Sequence, residues 1–143
     1  MILAGDIGGT NARLALFDVK NGKFNLVSST VFPSRQYSGL DEIVKEFVSN
    51  SGAHPAQACF GVAGPVTNGR VEASNLPWII ESRRLADELE IDHALLINDL
   101  EATGWGVGAL PPEHLVSLNQ VSIPPGNQAV IAAGTGLGAA GLY

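Results

Sequence analysis

Three strand-like runs of apolar residues open the chain, at residues 2–7, 11–19 and 24–32. The last two are joined across Lys20-Asn21-Gly22-Lys23, where Asn-Gly suits the positive φ angles of a tight hairpin. After Ser38 the period changes. Leu40, Ile43, Val44, Phe47 and Val48 fall at helical spacing and Ser51-Gly52 follows as a stop, which predicts an amphipathic helix ending near Asn50. Residues 57–63 form a continuous apolar run between Pro55 and Gly64-Pro65, as expected of a central strand covered on both faces. Residues 66–78 are rich in turn formers. Ser82 is placed to cap a short helix through Glu90, residues 94–97 read as another buried strand ending at Asn98-Asp99, and a helix follows to about Val107. Pro111-Pro112 and Pro124-Pro125 punctuate a loop-rich stretch. Residues 128–133 read as a last buried strand, after which residues 134–138 turn the chain into a short strand at 139–143. A meander followed by alternating helices and strands predicts one α/β domain over residues 1–143, with a mixed sheet flanked by helices and no internal linker or repeat.

Composition narrows the range of partners. With 143 residues, 45% of them hydrophobic and 15% charged, the chain can bury a core and lacks the signature of disorder. A net charge of −6 with only eight Lys and Arg argues against nucleic acid, whose affinity comes from basic side chains that neutralise phosphates. Cys59, the one cysteine, excludes an internal disulfide and reads, within Ala58-Cys59-Phe60-Gly61-Val62, as a small buried hydrophobe. No apolar stretch approaches the roughly 18 residues of a membrane span, and no signal-peptide pattern precedes the first strand. A cytoplasmic chain without nucleic-acid or membrane partners is expected. His54, His93 and His114 lie far apart, and no metal site is drawn from them.

Chemistry concentrates at the ends of the apolar runs. In Gly5-Asp6-Ile7-Gly8-Gly9-Thr10 the glycine pair lacks Cβ atoms, so the chain can reverse with positive φ and bring its amide N–H groups close to an anion. Asp6 would then face a metal ion through its water shell, and the Thr10 hydroxyl would bond a phosphate oxygen. An ordinary glycine hairpin is the alternative. The run Leu95-Leu96-Ile97 delivers Asn98 and Asp99 to the C-terminal end of a strand, where open α/β sheets bind ligands. Asp99 could accept a proton from a substrate hydroxyl while the Asn98 amide fixes a neighbouring one; alternatively, either residue caps the helix at Leu100. Gly134-Thr135-Gly136-Leu137-Gly138 makes a second candidate phosphate loop. Gly136-x-Gly138-x-x-Gly141 matches the dinucleotide fingerprint only literally, because neither a helix nor an acidic residue about 20 positions later follows. No Gly-Lys-Ser or Gly-Lys-Thr occurs, so a Walker-type loop is lacking. Ser74-Asn75-Leu76-Pro77-Trp78 offers an aromatic face with hydroxyl and amide groups, suited to a sugar, but equally fits a loop anchored by its tryptophan. Arg70, Arg83 and Arg84 read as surface residues.

Five motifs in order, Asp6-Ile-Gly-Gly-Thr-Asn-Ala-Arg13, Gly61-Val-Ala-Gly-Pro-Val66, Asn75-Leu-Pro-Trp78, Asn98-Asp-Leu-Glu-Ala102 and Gly134-Thr-Gly-Leu-Gly138, resemble the bacterial glucokinases of the hexokinase, actin and Hsp70 ATPase-fold superfamily. Asn98-Asp99-Leu-Glu-Ala with Trp105-Gly106 looks like the glucokinase branch. The resemblance implies an actin-like, ribonuclease H-like domain that handles ATP, Mg²⁺ and glucose. Residues 5–10 then look like a first phosphate loop and residues 134–138 like a second. Asn75, Asn98 and Asp99 fall on sugar-side positions, with Asp99 as the base for the glucose 6-hydroxyl. Members of that family are much longer. Their adenosine-binding segment, and the glutamate and histidine that also grip the sugar, would lie beyond Tyr143, so the chain is expected to be an N-terminal domain that is inactive without its C-terminal partner. A homodimer is compatible with the resemblance. A sugar-sensing regulator would be expected to carry a DNA-binding helix-turn-helix before the first strand, whereas Met1 leads straight into it. Another ATPase of the actin fold would have no use for Asn98-Asp99 as a hydroxyl-directed pair.

Overall fold

The computed structural model describes residues 1–119, 126–133 and 137–142, and the chain forms two compact units, Met1–Asp99 and Leu100–Tyr143. In the first, β1 (Ile2–Ile7), β2 (Asn11–Lys20) and β3 (Lys23–Pro33) make the meander, followed by helix α1 (Leu40–Ser51). Then come β4 (Gln57–Val62), a hairpin of β5 (Arg70–Glu72) and β6 (Ile79–Glu81), helix α2 (Ser82–Leu89) and β7 (Ala94–Asn98). The main sheet has the order β3-β2-β1-β4-β7, antiparallel in the meander and parallel from β1 through β4 to β7. This is the expected mixed α/β sheet. The β2–β3 turn forms at Asn21 and Gly22, with φ of 54° and 73°, the left-handed pair that Asn-Gly accepts at low cost.

Alternating strand positions supply the core. Leu3 and Ile7, Leu14 and Leu16, Phe60 and Val62, and Leu96 are buried, and with them Leu40, Ile43, Val44 and Phe47 of α1 and Leu85 and Ala86 of α2. Phe32 packs edge-on against both Tyr37 and Phe47, joining β3 to α1. Gly52 ends α1 in the left-handed conformation (φ 62°), its N–H donating to the Val48 carbonyl.

Some expectations are corrected. Residues 66–78 are not simply turns, since β5 forms there and pairs with β6. Ser82 does not cap α2: it is the first helical residue, and its N–H donates instead to the Gly69 carbonyl (2.8 Å), fastening the helix to the turn before β5. β7 is buried on alternate residues only, because Leu96 enters the core while Leu95 is 57% exposed. Cys59 is half-buried.

Helix α3 (Asp99–Val107) begins at the last residue of the first unit, and the second unit holds the rest of it and a hairpin of β8 (Gln128–Ala133) and β9 (Leu137–Leu142). Gly104 lies against Leu142 and Gly138 against Leu100, so small residues let α3 and β9 approach closely. β8 was expected to be buried. Among the described residues it pairs with one strand, β9, and Ile131 is 71% exposed. The last strand starts at Leu137, two residues earlier than expected. Among the described residues no helix is long and apolar enough to cross a membrane.

Candidate functional site

The parallel register of β1, β4 and β7 pairs Ile7 with Val62 and Val62 with Asn98, so three strands end along one edge. At about 4.8 Å between neighbouring strands, the ends of β1 and β7 lie roughly 10 Å apart. Residues 8–10 leave β1 there, Ala63-Gly64 leaves β4, and Asn98-Asp99 leaves β7 for α3. Gly5 sits inside β1 because a Cβ would strike the Phe60 ring, whereas the phosphate-loop candidates proper are Gly8, Gly9 and Thr10.

The glycines of this loop act differently from expectation. Neither Gly8 nor Gly9 is among the glycines with positive φ. What excludes a side chain is proximity: a Cβ on Gly9 would stand 2.6 Å from Asn75 Cβ, and one on Gly8 3.2 Å from the Asn11 carbonyl oxygen. Asn75 is therefore brought against the first loop. The Gly8 N–H donates to the Asn11 carbonyl (3.0 Å), the Ser34 hydroxyl to the Gly8 carbonyl (2.8 Å), and the Ser34 N–H to the Thr10 carbonyl (3.0 Å). Ser34 is fully buried.

Asp6 pairs across the sheet with Arg13, whose guanidinium donates to its carboxylate at 3.2 Å, and both side chains remain about two-thirds exposed (65% and 64%). A single accessible carboxylate at the head of such a loop fits a hard cation that keeps most of its water shell. Among the described residues, no cluster of three or more His, Cys, Asp or Glu converges on one point.

On the other side of the edge, the Asn98 amide donates to the Gly64 carbonyl (3.0 Å), which holds the loop after β4 against the end of β7. Gly64 has φ 144°, a region that only glycine enters freely, and Glu72 carbonyl oxygen and Val71 Cγ2 would each lie 3.1 Å from any Cβ. Ser74 ties the same loop from its far side, its N–H and hydroxyl both reaching the Ala63 carbonyl at 3.2 Å. Asn98 and Asp99 are partly buried.

Trp78 does not offer a sugar platform. It is 3% exposed, and its indole N–H donates to the Tyr37 carbonyl (3.2 Å), so it anchors the loop in the core. Arg70, Arg83 and Arg84 lie at the surface in ion pairs with Glu72 and Glu81, Asp87, and Asp41 respectively. A groove of about 670 Å³ beside the β5–β6 hairpin, lined by Thr67, Asn68, Arg70, Glu81 and Ser82 among others, includes none of the expected site residues. Gly134, Thr135 and Gly136 lie outside the described residues. Ser34 and Arg13 went unassigned in the sequence. Arg13 was discoverable, since a hairpin around Gly8-Gly9 sets it opposite Asp6, but nothing local marks Ser34, which reaches the loop from 26 residues away.

Comparison with known proteins defines the class. The fold superposes on a glucokinase crystal structure from an Antarctic psychrotroph with a TM-score of 0.86 and 32% identity, covering 99% of this chain and 45% of that one. It also superposes on a putative sugar kinase from Cytophaga hutchinsonii with a TM-score of 0.71, a likeness of fold at 21% identity that covers 99% of this chain and 47% of that one. The glucokinase family model matches residues 3–143, and the chain belongs to that family. It is 38% identical to the glucokinase of Nostoc sp. (strain PCC 7120), over 96% of this chain and 42% of that protein. It is 34% identical to the glucokinase of Yersinia pestis (strain Pestoides F), over 98% and 43%. The chain thus spans less than half the length of the relatives it matches.

Proposed function

We propose that the chain forms part of a glucokinase that transfers the γ-phosphoryl group of ATP to O6 of D-glucose. The observation that carries this reading is the shared edge of β1, β4 and β7, where a loop with close-approach glycines and the Asn98-Asp99 pair stand roughly 10 Å apart. A phosphoryl group and a sugar hydroxyl need such neighbouring seats. Family membership supports it, and the five-stranded order with a leading meander suits an actin-like ATPase domain.

In this reading, phosphate oxygens are held by amides of residues 8–10 and by the Thr10 hydroxyl. Asp99 accepts the proton of the glucose 6-hydroxyl as O6 attacks, and Asn98 and Asn75 line the sugar side. Mg²⁺, when bound, would offset charge on the phosphates, with Asp6 orienting its water shell. Catalysis in such a transfer is mainly positioning and charge stabilisation. The reading expects residues 1–143 alone to be inactive, and it is supported by the chain's spanning less than half the length of the relatives it matches. The same reading puts the protein in the cytoplasm with its substrates. ADP release by the full-length parent that depends on glucose tests the proposal; ATP turnover independent of any sugar would refute it.

A further inference from the structure

Ser34 follows β3 in a single turn of 3₁₀ helix spanning Ser34–Gln36, and it is buried completely although it is polar. Burying a hydroxyl costs free energy unless it finds partners, so its bonds indicate what holds it there. Both point into one turn. Its hydroxyl donates to the Gly8 carbonyl at 2.8 Å and its N–H to the Thr10 carbonyl at 3.0 Å.

A carbonyl pulled toward Ser34 has a second effect. The peptide unit is planar and trans, so the C=O of Gly8 and the N–H of Gly9 point in opposite directions. Fixing the first toward the buried hydroxyl aims the second away from that hydroxyl. Among the described residues no acceptor meets the Gly9 N–H. A backbone donor without an acceptor, on a glycine that carries no side chain of its own, is the arrangement that receives an anion.

We propose that Ser34 is a positioning residue that presents the Gly9 amide to a phosphate oxygen of the nucleotide. The inference rests on the kinase reading above. Ser34 touches no substrate, so removing its hydroxyl should weaken the nucleotide's seat and leave the sugar's seat alone. Ser34→Ala in the full-length enzyme should raise KM for ATP about tenfold, less than the loss of an oxyanion donor itself, with KM for glucose within twofold. Amide hydrogen exchange supplies a readout independent of turnover: the Gly8 N–H, bonded to the Asn11 carbonyl, should exchange at least about tenfold faster in the variant as the turn loosens. Should alanine fail to fold, Ser34→Cys leaves no cavity and has a weaker donor, and it should still raise KM for ATP severalfold. If the wild type is an active kinase and both KM for ATP and Gly8 exchange are unchanged in the variant, Ser34 merely fills space and the proposal is overturned. A wild type that shows no glucose-dependent ADP release refutes the kinase reading instead, and the phosphate role of Ser34 with it.

Discussion

Gly9→Ala adds one methyl group at the closest approach in the site. The new Cβ would stand 2.6 Å from Asn75 Cβ and 3.5 Å from its Cγ. Carbon atoms settle at about 3.5–4.0 Å, so the first contact is short by roughly 1 Å. Both atoms are attached directly to the main chain. No rotamer change relieves them, and either residues 8–10 or the segment around Asn75 must move. Overpacking of this kind costs about 1–3 kcal/mol, and because both segments are partly exposed the lower half of that range applies. At about 4 °C per kcal/mol for a domain of this size, the thermal midpoint should fall by roughly 4–8 °C. Since φ at Gly9 is not positive, alanine has no intrinsic backbone objection there, which makes the neighbour responsible. Asn75→Gly removes that neighbour's Cβ at a cost of about 0.5–1 kcal/mol. The double variant should then recover most of the loss caused by Gly9→Ala, a coupling of about 1 kcal/mol measurable by thermal or urea unfolding of the four proteins in the cycle. Strictly additive losses would refute the idea that Asn75 and the glycine loop are packed together.

Phe60 is fully buried in β4, between β1 and β7, so Phe60→Ala should cost about 3–5 kcal/mol and lower the urea midpoint without changing the slope; a loss below about 1 kcal/mol would place the core elsewhere. The Ser38 N–H (2.9 Å) and hydroxyl (3.0 Å) both donate to the Glu42 carboxylate and hold it below its ordinary value of 4.5. The folded state therefore binds that proton less readily than the unfolded state, and the contribution is complete above about pH 4.5 and fades as pH falls through the lowered value. Glu42→Gln should accordingly reduce the drop in thermal midpoint between pH 6 and pH 3, and an identical drop in both proteins would contradict this. Purified residues 1–143 with ATP, Mg²⁺ and glucose should give no turnover above a no-enzyme control and bind glucose only weakly, so micromolar affinity by calorimetry would count against a shared site.

Much of the scaffold is written locally. Alternation in residues 2–32 and the Asn21-Gly22 turn define the meander to within a residue, because strand period and hairpin chemistry act between near neighbours. The helical spacing of Leu40, Ile43, Val44 and Phe47 likewise specifies the buried stripe of α1. Packing at longer range is less legible. Trp78 looks equally suited to a sugar and to a core until its indole N–H finds the Tyr37 carbonyl, 41 residues away. Ser82 looks like a cap until the Gly69 carbonyl claims its N–H. Apolar composition marks residues 128–133 as a buried strand, yet burial depends on what covers a strand, and among the described residues β8 pairs with β9 alone. The candidate site divides in the same way. Gly8, Gly9 and Asn98-Asp99 stand out at strand ends, whereas the contact of Asn75 with Gly9 and the clamp by Ser34 exist only after folding.

Asp99→Asn in the full-length parent separates a base from a residue that merely starts the helix most directly. Asp99 begins α3 at the end of β7, and asparagine matches aspartate in size and in helix-terminal hydrogen bonding, so the fold should tolerate the change with little shift in thermal midpoint. An amide cannot take a proton from a sugar hydroxyl. A positioned base contributes roughly 10²- to 10⁴-fold, so kcat for glucose phosphorylation should fall by that order while glucose still binds. A variant that keeps more than about a tenth of the wild-type kcat would show that Asp99 is not the base, and would contradict the account at its centre.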